Sequence, residues 1–418
     1  MSRSASPSSR RQFLRAGGAL AGAALAPAVS AATAGQAQPL EVAPWSKTPG
    51  EPALWHPYGQ PSPYEKNVVR RTRGSAPFPG ANSSMTPLQD LFGIITPTGL
   101  VFERHHAGIP LIDPGQHRLA VHGLVARPTL FTMDDLVRLP SVSRIHFLEC
   151  SGNTGREWKG PGTASLQFSH GLLSCCEWTG VPLSVVLDEV GVDPQASWIL
   201  AEGADAAGMS RSIPISKALD DALLVYAQNG ERLRPEHGYP LRLFLPGFEG
   251  NMSVKWLRRL KVGSAPFMSR EETSKYTDSL PDGTARQFTF LMETKSVITF
   301  PAPDHRLREA GFYQISGLAW TGRGRIKRVD VSTDGGRNWS TATLQEPVLD
   351  RALTRFTLPW RWDGAPTVLQ SRAIDESGYV QPTGRQLVDA RGLESNYHFN
   401  AIQSWKVAAD GVITNVQV

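Results

Sequence analysis

The sequence predicts an α+β body followed by an all-β, immunoglobulin-like sandwich. Three observations carry this. At 418 residues the chain can bury at least two cores. Its 39 glycines and 32 prolines punctuate short apolar or alternating runs, a strand-and-turn pattern rather than a helical bundle. After about residue 294 only the strand period remains, whereas helical stretches are interleaved before it.

The first 37 residues read as an export signal outside the fold. Ser9-Arg10-Arg11-Gln12-Phe13-Leu14 is a twin-arginine signature, followed by a weakly apolar run over 16–29 and small residues between Ala31 and Ala37. The run is too short and too rich in Ala and Gly for a stable membrane span. Twin-arginine export carries folded proteins, which implies a cofactor inserted before transport and a periplasmic location. This leader holds four arginines and no acid, so without it the formal charge drops from +5 to +1. A mature chain near neutrality does not advertise a nucleic-acid partner. Residues 38–85, with charge, proline and isolated Trp45, Trp55, Tyr58 and Tyr64, read as an extended arm. The body is placed at 86–285 and the sandwich at 294–418.

Within the body, 91–95 and 99–102 read as short strands about a Thr-Pro-Thr-Gly turn. Arg104-His105-His106 follows. Three such side chains in a row are hard to bury without an anion or carboxylate; otherwise they form a surface loop. Residues 117–123 alternate as a strand, and Thr132 caps a short helix. The apolar run 145–148 breaks at Glu149-Cys150 into a polar turn, Ser151-Gly152-Asn153-Thr154-Gly155, ending in Arg156. Backbone N–H groups of that turn and Arg156 would favour a thiolate at Cys150, although a free cysteine is more often a small buried hydrophobe. Residues 176–182 read as a turn into an amphipathic helix over 183–190, with Trp178 in the core. Residues 201–205 end a strand, 212–218 open a helix or turn, and Asn229-Gly230 closes a tight hairpin after the strand 223–227. His237-Gly-Tyr-Pro-Leu-Arg242 and Gly250-Asn-Met-Ser253-Val254-Lys255 lead two further strands. Arg104, His106, Arg156, Arg242 and Lys255 thus stand at strand ends or in loops, a pattern suited to a phosphate-bearing cofactor held by point charges and amides.

Cys150, Cys175 and Cys176 are an odd set with an adjacent pair, which argues against a disulfide framework. Without Cys-x-x-Cys or Cys-x-x-Cys-His, no zinc knuckle and no covalently held c-type haem is encoded. In the last third, 296–300, 311–320, 326–332, 353–358 and 367–373 read as strands, with a hairpin turn at Asp334-Gly335-Gly336. Trp320, Trp339, Trp360 and Trp362 are assigned to core and interface.

Taken together, residues 91–276 resemble the molybdenum-cofactor domain of the sulfite oxidase family. The resemblance is carried, in order, by Arg104-His105-His106, Cys150-Ser151-Gly152-Asn153, Glu202-Gly203-Ala204-Asp205, His237-Gly238-Tyr239-Pro240-Leu241-Arg242 and Ser253-Val254-Lys255-Trp256-Leu257. It implies a sulfite-oxidase-type molybdopterin domain with one molybdenum and Cys150 as its thiolate ligand. Arg104, His105, His106, Asp205, His237, Arg242, Ser253, Val254 and Lys255 would hold the pterin and its phosphate. Tyr276 would be the active-site tyrosine. Arg104, Arg156 and Arg391, the last from the C-terminal domain, would line the substrate's anion pocket. The implied chemistry is oxygen-atom transfer from Mo(VI) to sulfur. Departures fall on the substrate side: Arg156 stands one residue later than the family's arginine, Phe168 takes the place of a pocket tryptophan, and His105 replaces Asn.

The leader, the arm over 58–71 and Phe102-Glu-Arg-His-His-Ala-Gly resemble the family's sulfane dehydrogenase branch. That implies a sulfane sulfur on a carrier protein as substrate and a separate dihaem c-type cytochrome as electron acceptor. It also implies a homodimer through the C-terminal domain, joined to the cytochrome as a heterotetramer. Two alternatives stand beside it: a free-standing periplasmic sulfite dehydrogenase, and a non-catalytic module that has lost its metal.

Overall fold

The computed structural model describes residue 49, residues 58–72 and residues 80–418. The twin-arginine signature, the leader and most of the arm lie outside the described residues. The chain divides into Met1–Pro61 and Ser62–Val418, and the second unit carries everything below.

The body rests on two five-stranded sheets. In the first the order is Thr129–Thr132, Arg118–Gly123, Leu257–Gly263, Trp198–Gly203, Ser210–Pro214, antiparallel except for Arg118–Gly123 beside Leu257–Gly263. In the second, Glu231–Arg232, Leu223–Gln228, Leu173–Pro182 and Val142–Glu149 pair antiparallel in that order, with Arg242–Phe244 also on Leu223–Gln228. Helix Leu183–Val190 buries Leu183, Val186, Leu187 and Val190 against the core, the i, i+3, i+4, i+7 spacing of one face. Thr132 and Asp135 form the capping box of helix Met133–Arg138. Asn229 and Gly230 take positive φ, 50° and 79°, as a tight hairpin requires.

Two expectations fail for the same physical reason: ladder partners, not local pattern, decide what is a strand. Residues 91–95 and 99–102 are irregular apart from the 3-10 turn Thr98–Leu100. The Leu91 and Gly93 carbonyls accept from the Arg355 guanidinium instead of from a strand. Conversely, 176–182 is no turn but the second half of the ten-residue strand Leu173–Pro182, paired on both edges. Gly180 is there because a Cβ would meet the Leu224 carbonyl oxygen at 2.2 Å.

The C-terminal part is two stacked sheets. One orders Lys295–Phe300, Gly311–Trp320, Thr354–Trp362, Thr343–Leu344. The other orders Ser340–Thr341, Ile326–Ser332, Thr367–Asp375, Ser404–Val407, Ile413–Val416. Trp320, Trp362 and Trp405 fill the space between, while Trp339 and Trp360 are half-buried. A capped helix, Gly384–Arg391, interrupts the strand succession. The sandwich core also takes in Phe147, Leu166, Leu173 and Cys175 from the body, so one apolar core runs through both. No described helix is long and apolar enough to cross a membrane.

Candidate active site

A cleft opens where the Val142–Glu149 strand ends, with Cys150 on its wall. The Cys150 N–H donates to the Leu172 carbonyl and its own carbonyl accepts from the Asn153 N–H. Both bonds hold the turn closed. Burial pushes the Cys150 thiol up, against the pull of the Gly152 N–H and the Arg104 guanidinium. A thiolate here therefore needs more positive charge than the protein provides, which a metal ion supplies.

One side of the cleft comes from the Glu103–Arg104 strand and its continuation. Arg104 and His106 line it, and the His106 Nε2 meets the Tyr276 hydroxyl at 3.0 Å. Burial, reinforced by Arg104 and Lys275, holds His106 down at about 4. Tyr276 sits at φ 52°, and burial pushes its phenol up, with the Cys150 thiol next in weight. The tyrosine therefore stays protonated, a donor.

The other side is made of loops, where polar side chains can converge while the strands behind them stay rigid. His237, on a short 3-10 turn, and Arg242, opening a strand, stand beside Ser253, Val254 and Lys255, which follow the Gly250–Met252 turn. Lys255 donates to the Arg104 and Glu236 carbonyls, both at 3.1 Å. Burial and Arg242 drive its ammonium well below the usual lysine range. Burial lowers Arg242 to about 10, and burial with Arg242 lowers His237 to about 3. His237 Nδ1 and Arg242 Nε are buried without a hydrogen-bond partner. Glu236 is the one carboxylate among the lining residues, and Arg70 stands 3.5 Å from it.

This arrangement fits a molybdopterin. Depressed cations and orphaned nitrogens mark a wall built for an anion. Among the described residues no group of three or more His, Cys, Asp or Glu could hold a metal. A metal at Cys150 must then bring most of its ligands with it, as a dithiolene-bearing pterin does.

The structure does not bring every expected residue to the cleft. Arg156 is exposed on the Gly155–Lys159 turn and lines nothing there. The chain reverses at Thr154, φ 62°, whose hydroxyl is anchored on the Phe399 carbonyl; of the turn that follows, Glu157 and Trp158 are buried and Arg156 is left on the outside. Arg391 is buried but turned to Glu293 at 3.6 Å and Asp278 at 3.9 Å, outside the lining. His105 lies behind the wall, bridging Glu103 and Lys255 at 2.8 Å each, so it braces the lysine. Asp205 is also behind, accepting from the Met209 N–H at 3.4 Å. Phe168 packs in a small apolar cluster and not in the cleft.

Sequence reasoning missed a buried charge network beside Tyr276. Arg211 is fully buried, 3.2 Å from Glu249 and 3.6 Å from Glu272, with its guanidinium 5.2 Å from the Tyr276 ring centre. It also donates to the side-chain oxygen of Asn251, a lining residue whose amide reaches the Ser151 hydroxyl at 3.1 Å. Burial pushes the Glu249 carboxyl up, but Arg211 and His398 outweigh it and hold it at about 2. The available signal was an arginine inside the short strand Ser210–Pro214, where only a buried partner could satisfy it.

Residues 106–271 match the oxidoreductase molybdopterin binding domain and residues 286–404 the Mo-co oxidoreductase dimerisation domain. Sulfite oxidase from Gallus gallus is 31% identical over 365 residues, covering 80% of this chain and 77% of that protein. NADH nitrate reductase from Ulva prolifera is 33% identical over 363 residues, covering 77% of this chain. The chain spans 41% of that reductase and 66% of the mitochondrial sulfite oxidase of Mus musculus. The crystal structure of the sulfane dehydrogenase SoxCD from Paracoccus pantotrophus superposes with a TM-score of 0.90 at 49% identity, over 92% of this chain and 100% of that one. The chain belongs to the sulfite oxidase family of molybdopterin oxidoreductases, and within that family it is similar to sulfane dehydrogenase SoxCD.

Proposed function

We propose that this chain is a periplasmic molybdenum oxidoreductase that oxidises sulfane sulfur held on a carrier protein and passes the electrons to a c-type cytochrome subunit. The observation that carries the substrate choice is the charge state of the substrate side. Arg211, over the Tyr276 ring, is compensated by two carboxylates; of the arginines expected on that side, Arg391 faces Asp278 and Glu293 and Arg156 is outside the cleft. Arg104 alone lines the cleft there without a carboxylate partner among the described contacts. Such a site suits sulfur of low charge, as a cysteine-bound sulfane is, better than a free sulfite dianion. The likeness to sulfane dehydrogenase supports the same choice.

When bound, the cofactor supplies two-electron oxygen-atom transfer to sulfur. Cys150 would hold the metal as a thiolate. Arg242, Lys255 and His237, with Ser253 and Val254, would hold the pterin and its phosphate. Tyr276, kept protonated and oriented by His106, would donate a hydrogen bond at the reacting end, while Arg104 draws the sulfur in. Since the sequence has no Cys-x-x-Cys-His, the acceptor haem belongs to another chain, proposed as the dihaem cytochrome of a heterotetramer built on a homodimer.

The test is molybdenum content and turnover of the exported protein, with and without Cys150→Ser. Molybdenum near one per chain, with turnover that requires a sulfur-loaded carrier and a c-type cytochrome and is lost in Cys150→Ser, is the expected result. Turnover on free sulfite without a carrier makes it a sulfite dehydrogenase, and absence of metal sinks the enzyme.

A further inference from the structure

The loop that carries Cys150 is held from the far side by the C-terminal sandwich. Glu149, the last residue of its strand, is wholly buried, yet its carboxylate is saturated. Oε1 accepts from Lys295 Nζ at 2.7 Å and from the Asn153 amide at 2.9 Å, and Oε2 accepts from the Trp320 indole at 2.6 Å. Lys295 opens the first strand of the sandwich and Trp320 closes the second. The same Lys295 ammonium reaches the Thr154 hydroxyl at 3.1 Å. One side chain therefore ties the start of the cysteine loop to its end. Asn153, fixed by Glu149, accepts from the Leu172 N–H at 3.1 Å through its other amide atom. Between these anchors the Ser151 carbonyl accepts from the His398 N–H at 2.9 Å. On the opposite face Gly250 lies so close that a Cβ would stand 3.4 Å from the Cys150 Cα.

For stability alone this is an uneconomical construction. A buried ion pair is often no better than well-packed apolar side chains of the same volume. What it provides is direction: three donors on one carboxylate leave the adjacent peptide one orientation. We propose that Glu149, Lys295 and Trp320 are positioning residues that aim the Cys150 sulfur at the metal, so that the domain matched as a dimerisation domain is also part of the metal site's support. The proposal rests on Cys150 being the metal ligand, and the test separates the two.

Four variants of the holoenzyme are compared: Trp320→Phe, which keeps the packing ring and removes one donor; Glu149→Gln alone; the pair Glu149→Gln with Lys295→Met, which leaves no unpaired buried charge; and Cys150→Ser. The readouts are molybdenum content, the charge-transfer absorption band from the cysteine sulfur to the metal (distinct from that of the dithiolene), thermal unfolding and turnover. In Trp320→Phe and in the double variant the band is expected to shift and turnover to fall about tenfold or more, the usual scale for outer-shell partners. The double variant is expected to unfold closer to wild type than Glu149→Gln alone, which a merely structural role would match with a restored band. A wild-type band and turnover in both variants overturns the proposal while Cys150→Ser still abolishes the band. Persistence of the band in Cys150→Ser overturns the ligand assignment, and the proposal with it.

Discussion

His106 and His237 are neutral in the folded protein because burial and neighbouring cations strip their protons. Their folded values, about 4 and about 3, lie below the ordinary histidine value of about 6.5. Between those values the unfolded chain binds protons that the folded chain does not. Stability of the cofactor-free protein is therefore full above about pH 6.5 and declines as pH falls toward 4 and 3. Urea unfolding at a series of pH values reads this directly; a flat profile across that window contradicts it. Anion binding beside these imidazoles favours their charged form, so inorganic phosphate should reduce the slope. Arg156 offers the opposite kind of test. Being exposed and outside the cleft, Arg156→Ala should leave turnover within about twofold and stability within about 0.5 kcal/mol. A hundredfold loss of turnover would return it to the pocket.

At the scale of elements, the cleft is made by loops gripping one another across rigid strands. The Gly250–Met252 turn approaches the cysteine loop so closely that a Cβ at Gly250 would stand 2.8 Å from the Glu149 carbonyl oxygen. Backbone cannot yield there as a flexible side chain could. Gly250→Ala is predicted to lower metal retention several-fold, measured as molybdenum per chain after dialysis, while the protein still folds. Normal retention would mean that the two loops move independently. Arg355, on the strand Thr354–Trp362, takes the Leu91 and Gly93 carbonyls into its guanidinium at 3.0 and 2.8 Å. Arg355→Ala leaves both oxygens without that donor and should cost about 2 kcal/mol in denaturant unfolding. The apolar pattern of 91–95 predicted a strand. Among the described residues no strand pairs with it, and a guanidinium from far along the chain takes its carbonyls instead.

Across the whole molecule, the sandwich core includes Phe147, Leu166 and Leu173 of the body, and Lys295 and Trp320 end on Glu149. The body keeps a core of its own around Leu187 and Leu243, but at this junction one cluster takes residues from both parts. Calorimetry of the protein is therefore expected to show one cooperative transition across residues 62–418. Two separated transitions would show that the body and the sandwich unfold independently and that the shared core contributes little.

Much of the site was legible in sequence because its residues sit in motifs whose spacing is local. Cys150 at a strand exit, His237 to Arg242, and Ser253 to Lys255 are each a few residues long, and the fold brings them to one cleft. The strands 311–320 and 326–332 and the helix 183–190 were equally plain, since hydrophobic period is a property of the chain itself. Tertiary structure decided what depends on distant partners. Arg156 and Arg391 carry the right charge, but a turn reversed at Thr154 puts one in solvent, and Glu293 with Asp278 holds the other. His105 and Asp205 support the wall from behind. Arg211 with Glu249 and Glu272, and Glu149 with Lys295 and Trp320, join residues between 38 and 171 positions apart. Buried charge is tolerable only when its partners are already in place. Those partners exist only once the sheets have packed, so the sequence alone determined which groups the cleft has, and the folded chain determined which of them face it.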